Sequence, residues 1–322
     1  MPYSRYYRTK LTKAEQQAYD AFVKGAEHYE ENIAMPPVKR SSMKRIQYAV
    51  DYDNPHLFFV DFRCIHYSFL PDTGEVTELQ LDYLYSVKEA ERLKKSLEKA
   101  AKTIAQGAEG KSPQEAALYL HDRLIHRCEY DHGESRPENH NLIGPLLDHK
   151  CVCEGYAKAY KYLADKIKLR CMVVCGEAIH PDGSGGGHAW NLIHLEKNNY
   201  HVDVTFDLLV GNRYCSRAYY GLSTNEILYD HKFESIFPIP DCPVSGSVLK
   251  KVSGTQELIE FLKDESLHGK DFSQVRLTKG FTGDKLMEMM KNKLTFADMH
   301  WYRRLGNFWY TDKAKTLSVC WK

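Results

Sequence analysis

No stretch of this sequence approaches the roughly 18 consecutive apolar residues that a membrane-spanning helix needs. The opening MPYSRYYRTKLTKAEQ contains no apolar segment of the kind a secretion signal carries. The expectation is a chain that has no membrane partner and is not exported. Charge of one sign is not in excess either. Lys and Arg number 44 against 43 Asp and Glu, a net charge of +1, so there is no bulk electrostatic case for nucleic acid or an anionic surface as partner. Metal spacings are missing: Cys151-x-Cys153 and Cys171-x3-Cys175 offer four thiols, but no Cys-x2-Cys pair and no His-x3-His accompanies them. There is no Asp-x-Asp-x-Asp-Gly calcium loop and no Walker or dinucleotide glycine motif. The glycines at 183–187 do not stand between a strand and a helix. No metal and no cofactor are therefore expected, and no internal repeat or low-complexity tract is present.

What the chain does have is the composition of a soluble globular protein, 43% apolar and 27% charged over 322 residues, enough for two or three domains. Nine cysteines is an odd number. Without an export signal it reads as free thiols in a reducing, cytoplasmic setting.

Three segments follow from the patterning. Residues 1–110 read as an α+β leader. A helix with Ala14, Ala18, Phe22 and Ala26 on one face is broken by Met35-Pro36-Pro37, and a short helix over Met43–Val50 comes next. Strands are expected over Leu57–Val60, Arg63–Leu70 and Val76–Tyr85 about a turn at 71–74, then a helix from Ser86 to Gly107. Residues 111–243 open on Ser112-Pro113-Gln114-Glu115, which has the form of a capping box with proline at the first helical position. Residues 244–322 read as a small α/β unit. It has helices over 255–262 and 283–291, strands over 272–278, 299–310 and 317–321, and a turn at Leu305-Gly306-Asn307. Its aromatics suit a core, or a surface for substrate or partner.

The chemistry concentrates in Cys151 to Asp207. Cys153 precedes a run with Ala157, Tyr160, Leu163, Ala164 and Ile167 at helical spacing. A thiol there faces unpaired N–H groups and the positive end of the helix dipole, which favour thiolate. His188 leads into the strand-like Ala189–Ile193, and Asp203 lies in the β-rich Tyr200–Thr205. If these two strands pair through the Glu196–Asn199 turn, His188 and Asp203 lie side by side. A thiolate, a base and a carboxylate that orients the base are the parts of a nucleophilic triad. Against this stands the ordinary use of cysteine as a small buried apolar residue. Cys151 is the rival thiol, and His194 and His201 are read as structural or surface residues.

Cys-Glu-Gly-Tyr-Ala at 153–157, His-Ala-Trp-Asn at 188–191 and Val-Asp-Val-Thr at 202–205 resemble the three core motifs of the transglutaminase-like superfamily. The order and spacing match as well, with 35 residues from Cys153 to His188 and 15 from His188 to Asp203. The similarity runs from about Ser112 to about Pro240. It selects Cys153 over Cys151 as nucleophile, with His188 as base and Asp203 as its partner. The fold it implies is α+β, a papain-like core in which the nucleophile helix packs on an antiparallel sheet. Trp190, Tyr156, Asn191 and His140 are assigned to substrate contact, with a buried core role as the alternative for Trp190 and Tyr156. The oxyanion donors implied are the Cys153 N–H and a group from the 139–150 loop. The glycine-rich segment 177–187 is either a gate or a plain connection.

The resemblance implies attack on a peptide or protein amide through a thioacyl-enzyme, completed by water or an amine. Cross-linking transglutaminases, proteases and peptide N-glycanases all share this core, so the motifs leave the substrate open. The zinc-binding Cys-x-x-Cys pairs of the glycanases are absent, as is the calcium loop. Hydrolysis is the expectation. The alternatives are cross-linking and a catalytically idle binding module, with residues 1–110 covering the cleft.

Overall fold

The computed structural model describes residues 5–133, 136–179, 184–208, 214–278, 281–291 and 303–322. The chain begins with α1 (Lys13–Glu27), started by a capping box between Thr12 and Glu15. Next are β1 (Asn32–Val38), α2 (Met43–Asp53), β2 (Val60–Phe69), β3 (Val76–Tyr83) and α3 (Val87–Gln106). The three strands form an antiparallel sheet in the order β1-β3-β2. Two expectations change here. Met35-Pro36-Pro37 does not merely end a helix but lies within β1. Its prolines fall where the pairing jumps from Ala34↔Glu78 to Val38↔Val76, on an edge strand, so no ladder hydrogen bond is lost. Leu57-Phe58-Phe59 is not a strand. Pro55–Leu57 is a short 3-10 turn, and strand pairing begins only at Val60.

The middle of the chain holds α4 (Pro113–Arg127), the short parallel pair β4 (Glu129–Tyr130) and β5 (Lys150–Cys151), and α5 (Cys153–Lys166). It continues through β6 (Arg170–Ile179), β7 (Gly185–Leu195), β8 (Asn198–Val202), β9 (Tyr220–Leu222), α6 (Thr224–Ile227) and β10 (His231–Phe233). The strands make one antiparallel sheet in the order β10-β6-β7-β8-β9, and α5 packs across β6 and β7. β7 and β8 are joined by the expected turn, with Leu195 opposite Asn198. The segment read as a glycine-rich loop is mostly strand. Glu177 pairs with Gly187 and Ile179 with Gly185, while Gly183 lies outside the described residues. Gly185–Gly187 are held in β7 by this pairing, and residues 180–183 of the segment lie outside the described residues.

The last part comprises β11 (Lys251–Val252), α7 (Thr255–Leu267), β12 (Phe272–Leu277), α8 (Gly283–Lys291), β13 (Leu305–Thr311) and β14 (Thr316–Trp321). Its sheet runs β11-β12-β14-β13. Leu305-Gly306-Asn307 is not a turn: it opens β13 as an irregularity between Leu305↔Trp321 and Phe308↔Val319. The chain reverses instead between β13 and β14. The start of the expected 299–310 strand lies outside the described residues.

Buried side chains from Tyr7 to Cys242, with Ala314, form one continuous apolar cluster, and a second runs from Val252 to Trp321. Residues on both sides of position 110 thus share a core. α2 is tied to α5 by Lys158, whose Nζ lies 2.7 Å from Asp51 and 2.9 Å from Glu154. The Tyr7 hydroxyl donates to the carbonyl of Val173 in β6. Among the described residues, no helix is long and apolar enough to cross a membrane.

Gly155, in the first turn of α5, is required by close approach. A Cβ there would stand 2.4 Å from the Asn139 carbonyl oxygen and 2.7 Å from Cys151 Cβ. Alanine in place of glycine ordinarily favours a helix by about 1 kcal/mol. Gly155→Ala should instead destabilise the protein by about 1–3 kcal/mol through overpacking, seen as a lower urea midpoint with unchanged slope. A raised midpoint would refute this account of the turn.

Candidate active site

Cys153 is the first residue of α5. Its N-cap, Val152, has no capping side chain, so no side chain of that residue covers the first-turn N–H groups. Val152 N–H donates to Asn139 O at 3.2 Å, anchoring the helix start to the preceding loop. The β4–β5 pair sets Tyr130 opposite Cys151, and Asp131 N–H donates to Cys151 O at 2.9 Å. This register brings the Tyr130 phenol beside Cys153 at the start of α5. Burial, with the Cys153 and Cys151 sulfurs adding to it, pushes Tyr130 up to about 12, so it is a neutral O–H at ordinary pH.

His188 enters from β7, paired across from Gly176 of β6. Its Nε2 lies 2.6 Å from Asp203 Oδ2, and the Cys153 side chain is near enough to the ring to add to its rise. With Nε2 committed to Asp203, Nδ1 is the nitrogen left for the thiol. Asp203 sits one residue past β8 with no solvent exposure. Its N–H donates to Tyr219 O at 3.1 Å, and its Oδ1 accepts from Phe206 N–H at 3.0 Å. Burial disfavours the charged form of both groups, but their attraction outweighs it. His188 is raised to about 10, and Asp203, also facing His231, is held well below the usual carboxylate range.

The rival thiol is placed differently. Cys151 is fully buried with its Sγ 3.3 Å from that of Cys128, and burial pushes it well above the ordinary thiol value. A buried thiol held protonated is a poor nucleophile.

Of the residues assigned to substrate contact, Trp190, Tyr156 and Asn191 are each about 1% exposed and point inward. The Trp190 ring stacks behind His188 at 5.9 Å, and its Nε1–H donates to His201 Nδ1 at 3.1 Å. Tyr156 donates to the Cys128 carbonyl, and Asn191 Nδ2 donates to Ala157 O at 2.9 Å, tying β7 to α5. These three build the frame of the site rather than its surface, because period-two alternation puts 188, 190 and 192 of β7 on the inner side while α5 covers the rest. His140 is half-buried. Its Nδ1 lies 2.9 Å from Glu154 Oε2, and it lines a cavity of about 180 Å³ beside Phe58, Arg63 and Lys158. Burial would raise Glu154, but Lys158 and His140 outweigh it and hold its carboxyl at about 2.

Two groups at the site were not anticipated. Tyr130 lay in Cys-Glu-Tyr-Asp, read only as the end of a helix. His231, the first residue of β10, places its Nε2 3.0 Å from Asp203 Oδ2, the oxygen that His188 also uses. Nothing in the spacing of Tyr-Asp-His-Lys-Phe marks it, and only the pairing of β10 with β6 brings it in. His188, Asp203 and His231 are also the one set of three potential metal ligands among the described residues. Their contacts are those of direct hydrogen bonds: 2.6 Å between nitrogen and oxygen is too close for two ligands of a tetrahedral zinc, which stand about 3.3 Å apart.

No protein-family model matches this chain, and no curated protein does. Among solved structures it is similar to a TGase at 15% identity, covering 56% of this chain and 50% of that one, with a TM-score of 0.31. A Cytophaga hutchinsonii protein described as a candidate cysteine protease aligns at 14% identity over 44% of this chain and 61% of its own, TM-score 0.29. The periplasmic domain of TgpA from Pseudomonas aeruginosa aligns at 16% identity over 42% and 58%, TM-score 0.26. The chain is similar to transglutaminase-like proteins. It spans 50% to 61% of the length of these three structures. Identities and scores this low leave the chemistry to be argued from the residues themselves.

His201 beneath Trp190 supplies a test of the packing. Burial, with His231 nearby, lowers it to about 3. The folded protein therefore refuses a proton that the unfolded chain takes up below about pH 6.5. Stability from this group is full above that pH and is lost as pH falls. His201→Gln should flatten the decline in urea midpoint between about pH 6.5 and 4, before the carboxylates titrate. A slope equal to the wild type's would mean that His201 is protonated in the fold.

Proposed function

We propose that this protein is a cysteine-dependent amide hydrolase acting on peptide or protein amides, with Cys153 as nucleophile, His188 as base and acid, and Asp203 as the group that orients His188. The observation that carries this reading is the position of the His188 ring, bonded through Nε2 to the buried Asp203 and in contact with Cys153 at the start of α5. The core supports it as a papain-like arrangement, a nucleophile helix packed on an antiparallel sheet.

The reaction is written as follows. The Cys153 thiol gives its proton to His188, and the sulfur attacks the amide carbon. The negative oxygen of the tetrahedral intermediate takes hydrogen bonds from the Cys153 N–H and the neutral Tyr130 hydroxyl beside it. His188 then protonates the departing nitrogen, the C–N bond breaks, and a thioester remains on Cys153. Water enters, loses a proton to His188 and attacks the thioester. The carboxylic acid leaves, and Cys153 recovers its proton. Hydrolysis is favoured over amine transfer because water needs no site of its own. A reducing, cytoplasmic setting belongs to the same proposal, since the nucleophile works as a free thiol.

Alkylation of all nine cysteines by iodoacetamide, resolved by peptide mass spectrometry, tests the assignment. Cys153 should react faster at neutral pH than the other eight cysteines, and His188→Ala should abolish that advantage. If Cys153 behaves like the buried thiols, the reading fails. On a glutamine or peptide amide that the enzyme turns over, Tyr130→Phe should lower kcat by about 10²–10³ while leaving Cys153 alkylation close to wild type. An unchanged kcat would remove Tyr130 from the oxyanion site. Faster incorporation of a labelled amine than deamidation would make the protein a transferase.

A further inference from the structure

His231 is almost fully buried and has a carboxylate oxygen at each ring nitrogen. Nε2 lies 3.0 Å from Asp203 Oδ2, and Nδ1 lies 2.6 Å from Asp230 Oδ1. A neutral imidazole has only one N–H, so its other nitrogen would turn a lone pair toward a carboxylate with no water to intervene. Neither carboxylate is placed to supply the missing proton. Asp203 already accepts from His188 and from Phe206 N–H, and Asp230 Oδ2 accepts from the Tyr219 hydroxyl at 2.6 Å. Both are thus in settings built for the anion. The arrangement closes only if His231 carries a proton on each nitrogen.

The competing positive charge comes from His188, which opposes the two carboxylates. Trp190 and Phe206 enclose the ring with centroids at 4.9 and 4.7 Å, and Tyr219 lies at 6.0 Å. The charged or titratable groups that face it are Asp203 from the end of β8, Asp230 from the turn before β10, His188 from β7, His201 from β8 and the Tyr219 phenol. The His188 ring is 5.4 Å away.

We propose that His231 is a positioning residue that acts as a permanent imidazolium, holding Asp203 from the far side and sharing the carboxylate oxygen that His188 uses, so that Asp203 orients His188 without retaining its proton. The proposal rests on the reading of Cys153, His188 and Asp203 as the reacting set. Its physical need is plain. A lone buried aspartate would bind the His188 proton tightly, yet that proton must pass to the departing nitrogen, and proton transfer is most effective from an acid whose pKa lies near the working pH. A second cation on Asp203 weakens that grip. Asp230, with the Tyr219 hydroxyl on its other oxygen, keeps the second cation charged.

The direction of the effect reports the charge. His231→Gln keeps a donor near Asp203 but removes a positive charge beside the thiolate and imidazolium. The acid limb of Cys153 alkylation should then move to higher pH by on the order of one unit. Asp230→Asn removes the carboxylate that keeps His231 charged, so its limb should move to higher pH as well. Superimposed profiles for His231→Gln and wild type, or a shift of either variant to lower pH, would overturn the proposal. Wild-type protein with slow Cys153 alkylation that His188→Ala leaves unchanged would instead defeat the underlying assignment, and both fall together. Should His231→Gln fail to fold, ¹⁵N spectra of wild-type protein labelled at histidine decide the point. Two protonated ring nitrogens on His231 at neutral pH support the proposal, and a single neutral tautomer refutes it.

Discussion

A carboxylate with no solvent exposure lies at the centre of this molecule, and the rest of the site follows from the need to satisfy it. Removing an ion of this size from water costs several kcal/mol even after relaxation. Asp203 recovers that cost through three donors: His188, His231 and the Phe206 backbone. They come from β7, from β10 and from the turn after β8, so the sheet must be complete before the carboxylate is stable. Trp190 and Phe206 pack against the His188 ring, and Phe233 stacks on Trp190 behind it. Stability and chemistry are therefore not separable here, because the interactions that make the charge tolerable also orient the base.

The Cys153 thiol depends on a different set of constraints that converge on the first turn of α5. Gly155 lets the helix approach the Asn139 carbonyl and Cys151, while Lys158 pins its inner face to Asp51 of α2. Asn191 links it to β7, so the thiol and the base are held by one rigid pair of elements. Lys158 also makes the N-terminal part of the chain a partner in the site, since a buried cation cannot be left without Asp51 and Glu154.

Much of this was legible along the chain wherever the signal is local. Ser86 and Ser112, each with a glutamate three residues on, mark helix starts that the structure contains, because cap and glutamate are close along the chain and need no tertiary partner. The β7–β8 hairpin was legible for the same reason. Prolines 36 and 37 misled, since the same residues that end a helix can also lie in the bulge of an edge strand, and only the neighbouring β3 decides which. The glycines at 185–187 read as loop because their lack of side chains hides the pairing that β6 imposes on them. Trp190 and Asn191 carried a motif but not a direction: alternation in a strand shows that two residues share a face, not which face is covered.

The sequence by itself determined the positions of Cys153, His188 and Asp203, the helix that carries the first and the hairpin that carries the other two. Those follow from periodicity, caps and turn length over short spans. Only the tertiary structure decided what surrounds them. Tyr130 comes beside Cys153 through a two-residue parallel pairing. His231 reaches Asp203 through an edge strand 28 residues further along the chain. Burial of Asp203 is the sum of several distant segments. Charge, desolvation and hydrogen-bond sharing depend on distance in space, and linear spacing carries no record of contacts that form only when separate strands close on one another.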